Sequence, residues 1–225
     1  METECRPRAY VKKMEIYPLC KRMLDVLLAL LGLGVMLLPM VVLGAALYWD
    51  DPGPVLFCQT RLGRHGQPFT LYKLRTMKVS APRSVATWAL REPERYITRM
   101  GRFLRRTSLD EVPQLINILK GDMSLVGPRP LIPEEQDIHR MRLAGGVYAL
   151  RPGITGLAQI NGRDLVSPER KARLDETYLH QLCFLTDLRI LLRTVRKVFY
   201  CEDVLESAGF DPSGRYRMEE QEVNL

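Results

Sequence analysis

The sequence predicts an α+β fold, mainly helical: an N-terminal re-entrant membrane helix broken at Pro39, a β-hairpin, and interfacial amphipathic helices around a small core. Three observations predict it. The run from Val26 to Trp49 carries no charge and, at 1.5 Å per residue, is long enough to cross a hydrocarbon core of about 30 Å. Two short strand-like segments flank a glycine-containing turn, and further along an apolar stripe at helical spacing is filled in with arginines.

The apolar run is the first element to justify. A cleaved signal sequence has an apolar part of about 7–15 residues and then a small-residue site. This run is longer and ends in Tyr48, Trp49, Asp50 and Asp51. Pro39 lies inside it, where proline removes a helical hydrogen bond and clashes with the preceding turn. Positive charge stands on both sides, with Arg6, Arg8, Lys12, Lys13, Lys21 and Arg22 before and Arg61, Arg64, Lys73 and Arg75 after, as for two ends on the cytoplasmic face. A helix that bends at Pro39 and leaves on the side it entered satisfies both observations. A proline-kinked spanning helix stays open at this point.

Beyond the run, Asp51-Pro52-Gly53-Pro54 is a turn, and Val55 to Gln59 reads as a strand. After the Gly63-Arg64-His65-Gly66 turn, Phe69 to Leu74 reads as its hairpin partner; residues 78–92 read as a loop. Tyr96, Ile97, Met100, Phe103 and Leu104 then form an apolar stripe among Arg95, Arg99, Arg102, Arg105 and Arg106. Such a helix suits a headgroup layer, or equally a core. Pro-rich turns follow at Gly127-Pro128-Arg129-Pro130 and Arg151-Pro152-Gly153. A helical stretch covers about Pro168 to Tyr200, with Leu174, Tyr178, Leu182, Leu185 and Leu188 on its core face. The chain divides into a basic segment (1–22), the membrane helix (23–50), a folded domain (51–200) and a peripheral tail (201–225).

Composition narrows the chemistry. The chain has 225 residues, 46% hydrophobic, and a formal charge of +7, which asks for an anionic partner. Its five cysteines are scattered without a C-x-x-C pair, as in a reduced compartment. No phosphate-binding glycine loop, H-E-x-x-H or D-x-D occurs, and three histidines show no triad or metal spacing. What stands out is Arg105-Arg106-Thr107-Ser108-Leu109-Asp110-Glu111-Val112-Pro113. Pro113 belongs in a first helical turn, so Asp110 and Glu111 straddle a helix start. Ser108 with Glu111 also fits a capping box, the purely structural alternative. A carboxylate can attack phosphorus, its neighbour can help hold a divalent cation, and arginines can grip phosphate oxygens.

Several long motifs in order carry a resemblance. They are Lys21-Arg22-Met23-Leu24-Asp25, Asp51-Pro52-Gly53-Pro54-Val55, Tyr72-Lys73-Leu74-Arg75-Thr76-Met77, Ser108 to Leu115, Leu119 to Pro130, and Arg151 to Gly156. Over Lys21 to Tyr200 the chain resembles the small monotopic phosphoglycosyl transferases, bacterial sugar transferases that start glycan assembly on polyprenol phosphate. The resemblance implies that Asp110 is the nucleophile on a UDP-sugar, expelling UMP to leave a covalent phosphosugar enzyme, with Glu111 as its partner and Mg²⁺ at both carboxylates. It places Arg105, Arg129, Lys73 and Arg75 on substrate phosphate and Asn161, Arg163 and Asp175 along the same site. It makes 51–200 a cytosol-facing catalytic domain at the bacterial inner membrane, working with membrane lipid and undecaprenyl phosphate and no nucleic acid, and leaves room for a homodimer. A UDP-HexNAc or derivative is the implied donor. Relatives often carry Ser before the hairpin proline, where this chain has Leu38. A non-catalytic membrane-anchored basic adaptor is the alternative function.

Overall fold

The computed structural model describes residues 8–81, 93–162 and 166–200. The first helix, α1 (Arg8–Asp50), begins ahead of the apolar run and contains Pro18 and Pro39. A strand pair follows, β1 (Leu56–Leu62) and β2 (Pro68–Leu74), then α2 (Arg99–Thr107), α3 (Gln114–Lys120) and β3 (Ser124–Val126). The chain continues through α4 (Gln136–Ala144), β4 (Gly153–Thr155), α5 (Leu157–Ile160), α6 (Pro168–His180) and α7 (Phe184–Tyr200). The hairpin is in antiparallel register with Phe57 opposite Lys73 and Arg61 opposite Phe69. A second, parallel pair joins β3 to β4, with Val126 opposite Thr155.

The hairpin lies where alternation placed it, three residues longer at the far end of β1. The parallel pair was not foreseen. The arginine-rich helix starts later than its stripe suggests: Thr98 caps it, accepting 2.8 Å from the Gly101 amide, while Ile97 bridges to Met77. Leu104 is fully buried and Phe103 half exposed. The stretch from Pro168 to Tyr200 is two helices, and its expected face divides. Leu174 and Tyr178 are buried, whereas Leu185 and Leu188 face outward with Phe184, Leu192 and Val195. Ile190 supplies the buried contact of α7 instead. Residues 82–92 of the expected loop lie outside the described residues.

Three apolar clusters hold the site in place. Val126, Leu157, Ile160, Leu174, Tyr178 and Ile190 tie the parallel pair to α5, α6 and α7. Ala29 of α1 joins Leu71, Ile118 and Met123, and Leu47 joins Leu74 and Leu104. Both flanks of the apolar run therefore pack on the folded body, each buried leucine contributing about 2 kcal/mol. Polar bonds repeat this: Asp25 accepts 3.0 Å from the Leu125 amide, and Asp50 accepts 2.9 Å from Met100. Between the flanks, Val35, Leu37 and Leu38 are exposed, and nothing lies within 4 Å of a side chain built at Gly34.

Gly101 is required by close approach. A methyl group there would overlap the Thr76 carbonyl, which also accepts from the Thr98 amide at 3.2 Å. Backbone cannot yield as a flexible side chain does, so Gly101→Ala is expected to destabilise by about 2 kcal/mol. Thermal denaturation checks this; an unchanged midpoint would mean that α2 can slide on Thr76.

Candidate active site

Asp110 and Glu111 sit in a short 3₁₀ turn, Leu109–Glu111, between α2 and α3. Ser108 makes the corner. Its φ of 56° ends α2 in the left-handed region, uncommon for a residue with a side chain and typical of over-determined sites. The alternative of a capping box is not realised: Ser108 makes no side-chain cap, and the turn is instead closed by the Glu111 amide on the Ser108 carbonyl, 3.2 Å. Leu109 points into the Leu47–Leu74–Leu104 cluster and anchors the turn from below. Pro113 then begins the approach to α3 in helical conformation.

Cations from separate elements converge on this turn. Glu111 lies 3.9 Å from the guanidinium of Arg129, on the loop after β3. Arg105, from the last turn of α2, donates 2.9 Å to Thr76 Oγ1 and acts electrostatically on Asp110. Lys73, on β2, stands over the Phe57 ring at 5.4 Å, a cation–π seat set by the hairpin register. Burial pushes the Asp110 carboxyl up to about 6, reinforced by Glu111 and opposed by Lys73 and Arg105. Burial likewise lowers Lys73 to about 8, with Arg105, Arg61 and Arg129 adding to the fall and Asp110 resisting it. A carboxylate and an ammonium held thus, each desolvated and each favoured by the other's charge, suit a multiply charged substrate.

The structure brings together Asp110, Glu111, Lys73, Arg105 and Arg129. Three other expected residues are held by partners outside this group. Arg75 lies past the end of β2, buried against the turn after α1: it donates to the Asp51 carbonyl and pairs with its carboxylate at 3.5 Å. Asn161 donates 2.8 Å to the Leu157 carbonyl, closing α5. Asp175 is 1% exposed and paired with Arg142. Arg163 lies outside the described residues.

Arg61 was overlooked as more than flanking charge. It lies on the strand face shared by Phe57 and Gln59, bonding Gln59 Oε1 at 2.6 Å and the Pro130 carbonyl at 3.2 Å. Counting by two from Phe57, opposite Lys73, would have found it.

Among the described residues no group of three or more His, Cys, Asp or Glu side chains could hold a metal. Asp110 and Glu111 fit an ion that takes its remaining ligands from water and substrate phosphate, as Mg²⁺ does. Burial is the main cause of the raised Asp110 carboxyl, and the repulsion from Glu111 that adds to it is what such an ion would relieve.

Comparison with known proteins places the chain in a family. The model of the bacterial sugar transferase family matches residues 16–201, so the chain belongs to that family and is a phosphoglycosyl transferase. The uncharacterized sugar transferase EpsL of Bacillus subtilis is 46% identical over 154 residues, 68% of this chain and 74% of EpsL. The UDP-glucose:undecaprenyl-phosphate glucose-1-phosphate transferase of Caulobacter vibrioides is 42% identical over 183 residues, 78% of this chain and 68% of that protein. The Escherichia coli enzyme of the same name is 40% identical over 188 residues, 80% of this chain but only 40% of its own length.

Proposed function

We propose that this enzyme transfers a phosphosugar from a UDP-sugar to undecaprenyl phosphate, releasing UMP, by way of a covalent aspartyl-phosphosugar. The observation that carries the reading is Asp110: a buried carboxylate, beside a second one, facing Lys73 and Arg105. An Asp110 oxygen attacks the sugar-bearing phosphorus, the bridging P–O bond breaks, and its electron pair leaves with UMP. An oxygen of the lipid phosphate then attacks the same phosphorus, displacing Asp110 and forming a polyprenyl diphosphate sugar. Lys73, Arg105 and Arg129 hold the phosphate oxygens as charge moves to the leaving group. Mg²⁺ held by Asp110, Glu111 and the diphosphate would supply further charge neutralisation.

The membrane reading has its own support. The described residues contain one helix apolar enough to cross a bilayer, Tyr17–Asp50, with 6% of its apolar window buried. Its two flanks rest on one body, through Ala29 and Asp25 on one side and Leu47 and Asp50 on the other, while Val35 to Leu38 leave it. A helix crossing the bilayer would put those flanks on opposite sides. A re-entrant helix turning near Pro39 keeps both on the cytoplasmic face of the inner membrane. The outward stripe of Phe184, Leu185, Leu188, Leu192 and Val195 on α7, interleaved with Arg189, Arg193 and Arg196, suits the same interface.

The test is intact-protein mass after incubation with Mg²⁺ and single UDP-sugars, without lipid acceptor. UDP-HexNAc donors and UDP-glucose, the donor in two relatives' names, come first. A sugar-phosphate mass gain that disappears on adding undecaprenyl phosphate is the expected result. UMP release that occurs only when donor and lipid are both present, with no adduct at any time, would replace the covalent route by direct transfer.

A further inference from the structure

Behind the reactive turn, a buried ion pair reaches the site only through main chain. Arg142 on α4 and Asp175 on α6 are 4% and 1% exposed. Nε and one terminal nitrogen of Arg142 both donate to Asp175 Oδ2, at 2.9 and 2.6 Å. The remaining arm donates 2.8 Å to the carbonyl of Arg129. A planar guanidinium gripped on one edge by a carboxylate has its third arm fixed in direction.

What that arm holds is one of three successive carbonyls, each gripped by a different element. The Pro128 carbonyl accepts 2.9 Å from the Gly153 amide at β4, and the Pro130 carbonyl accepts 3.2 Å from Arg61 on β1. The Gly127 amide adds a bond to the Thr155 carbonyl at 2.8 Å, and the Leu62 amide one to Leu131 at 3.0 Å. Pro128 and Pro130 fix their own φ, and Pro130 restricts Arg129 as well. Arg129 is thus a long, flexible side chain on a fixed base, 42% exposed and 3.9 Å from Glu111.

Stability does not explain an ion pair here. Burying two charges is commonly no better than burying an apolar pair of similar size, because desolvation offsets their attraction. Asp175 shows this, since burial raises its carboxyl above the ordinary range even with Arg142 alongside. What an apolar pair could not supply is the aimed donor to Arg129.

We propose that Arg142, oriented by Asp175, is a positioning residue for Arg129, fixing the main chain from which that guanidinium reaches the donor's diphosphate. In this role the pair acts through the main chain of Arg129. The proposal rests on the reading of Arg129 as a phosphate ligand.

The full-length enzyme in detergent is compared as wild type, Arg129→Ala, Arg142→Lys, Asp175→Asn and the Arg129→Ala/Arg142→Lys double variant. UDP affinity is read by titration calorimetry, donor KM and kcat by UMP release, and folding by thermal midpoint. Lysine keeps the charge but cannot hold Asp175 and the Arg129 carbonyl together, so Arg142→Lys is expected to weaken UDP binding and raise KM about fivefold. In the Arg129→Ala background the same change is expected to add nothing further. Asp175→Asn, which keeps an acceptor for the fork, gives the same comparison if Arg142→Lys does not fold. Multiplying effects in the double variant, or a lowered midpoint with wild-type KM and UDP affinity, would overturn the positioning role. Wild-type UDP affinity in Arg129→Ala would overturn the phosphate reading itself.

Discussion

Replacing Asp110 by asparagine is expected to abolish the covalent adduct and to lower turnover by at least about a thousandfold, while making the metal-free protein more stable. Asparagine is nearly isosteric but cannot form the acyl phosphate. The gain in stability follows from the raised carboxyl. With a folded pKa of about 6 against 3.8, the native state holds this proton more tightly than the unfolded chain does. That contribution is complete below about pH 4 and is lost as pH rises through about 6. At pH 7.5 the ionised group therefore opposes folding, by about 3 kcal/mol. Asparagine removes the charge, whose attraction to Lys73 and Arg105 is already contained in that balance, so a rise of about 6 °C is expected by calorimetry in EDTA. A variant that keeps turnover sinks the nucleophile assignment; one that melts well below wild type sinks the electrostatic account.

Asn117→Ala is expected to cost about 3–4 kcal/mol, a fall of roughly 10 °C, with loss of activity following loss of fold. Asn117 on α3 is wholly buried, and its side chain acts as a further strand beside β2. Its Oδ1 accepts 3.1 Å from the Tyr72 amide, and its Nδ2 donates 2.7 Å to the Thr70 carbonyl and 3.2 Å to Asp122. Alanine would take these partners from the part-buried Tyr72 amide and Thr70 carbonyl. Urea denaturation measures the loss; a change under about 1 kcal/mol would mean that water replaces the carboxamide.

These residues also show what could be read before the structure. The hairpin was legible because alternation and a glycine turn state it locally. The turn that carries Asp110 and Glu111 was legible as an ordered string from Arg105 to Pro113. Arg75 shares a motif with Lys73, and a motif does not say which way each side chain goes: β2 ends at Leu74, and Arg75 turns to Asp51. Leu185 and Leu188 had the right helical period and the wrong expected cover, since apolar stripes facing a core and facing lipid look alike in sequence. The β3–β4 pair escaped because three-residue strands with distant partners carry no local periodicity. Arg142 gave no signal either: its value lies in Asp175 and the Arg129 carbonyl, both brought to it by tertiary packing.

The seating of α1 bears on how this enzyme can be handled. Ala29 and Leu47 are interior walls of two apolar clusters, and Asp25 and Asp50 receive backbone amides of the body. The first helix is as much core as anchor. A chain shortened to begin at residue 51 would leave Leu71, Ile118 and Met123 open on one side and Leu74 and Leu104 on the other. Such a fragment would aggregate rather than yield a soluble catalyst. Solubility has to be sought by shielding the exposed face of the helix, from Val35 to Val42, and not by cutting it away.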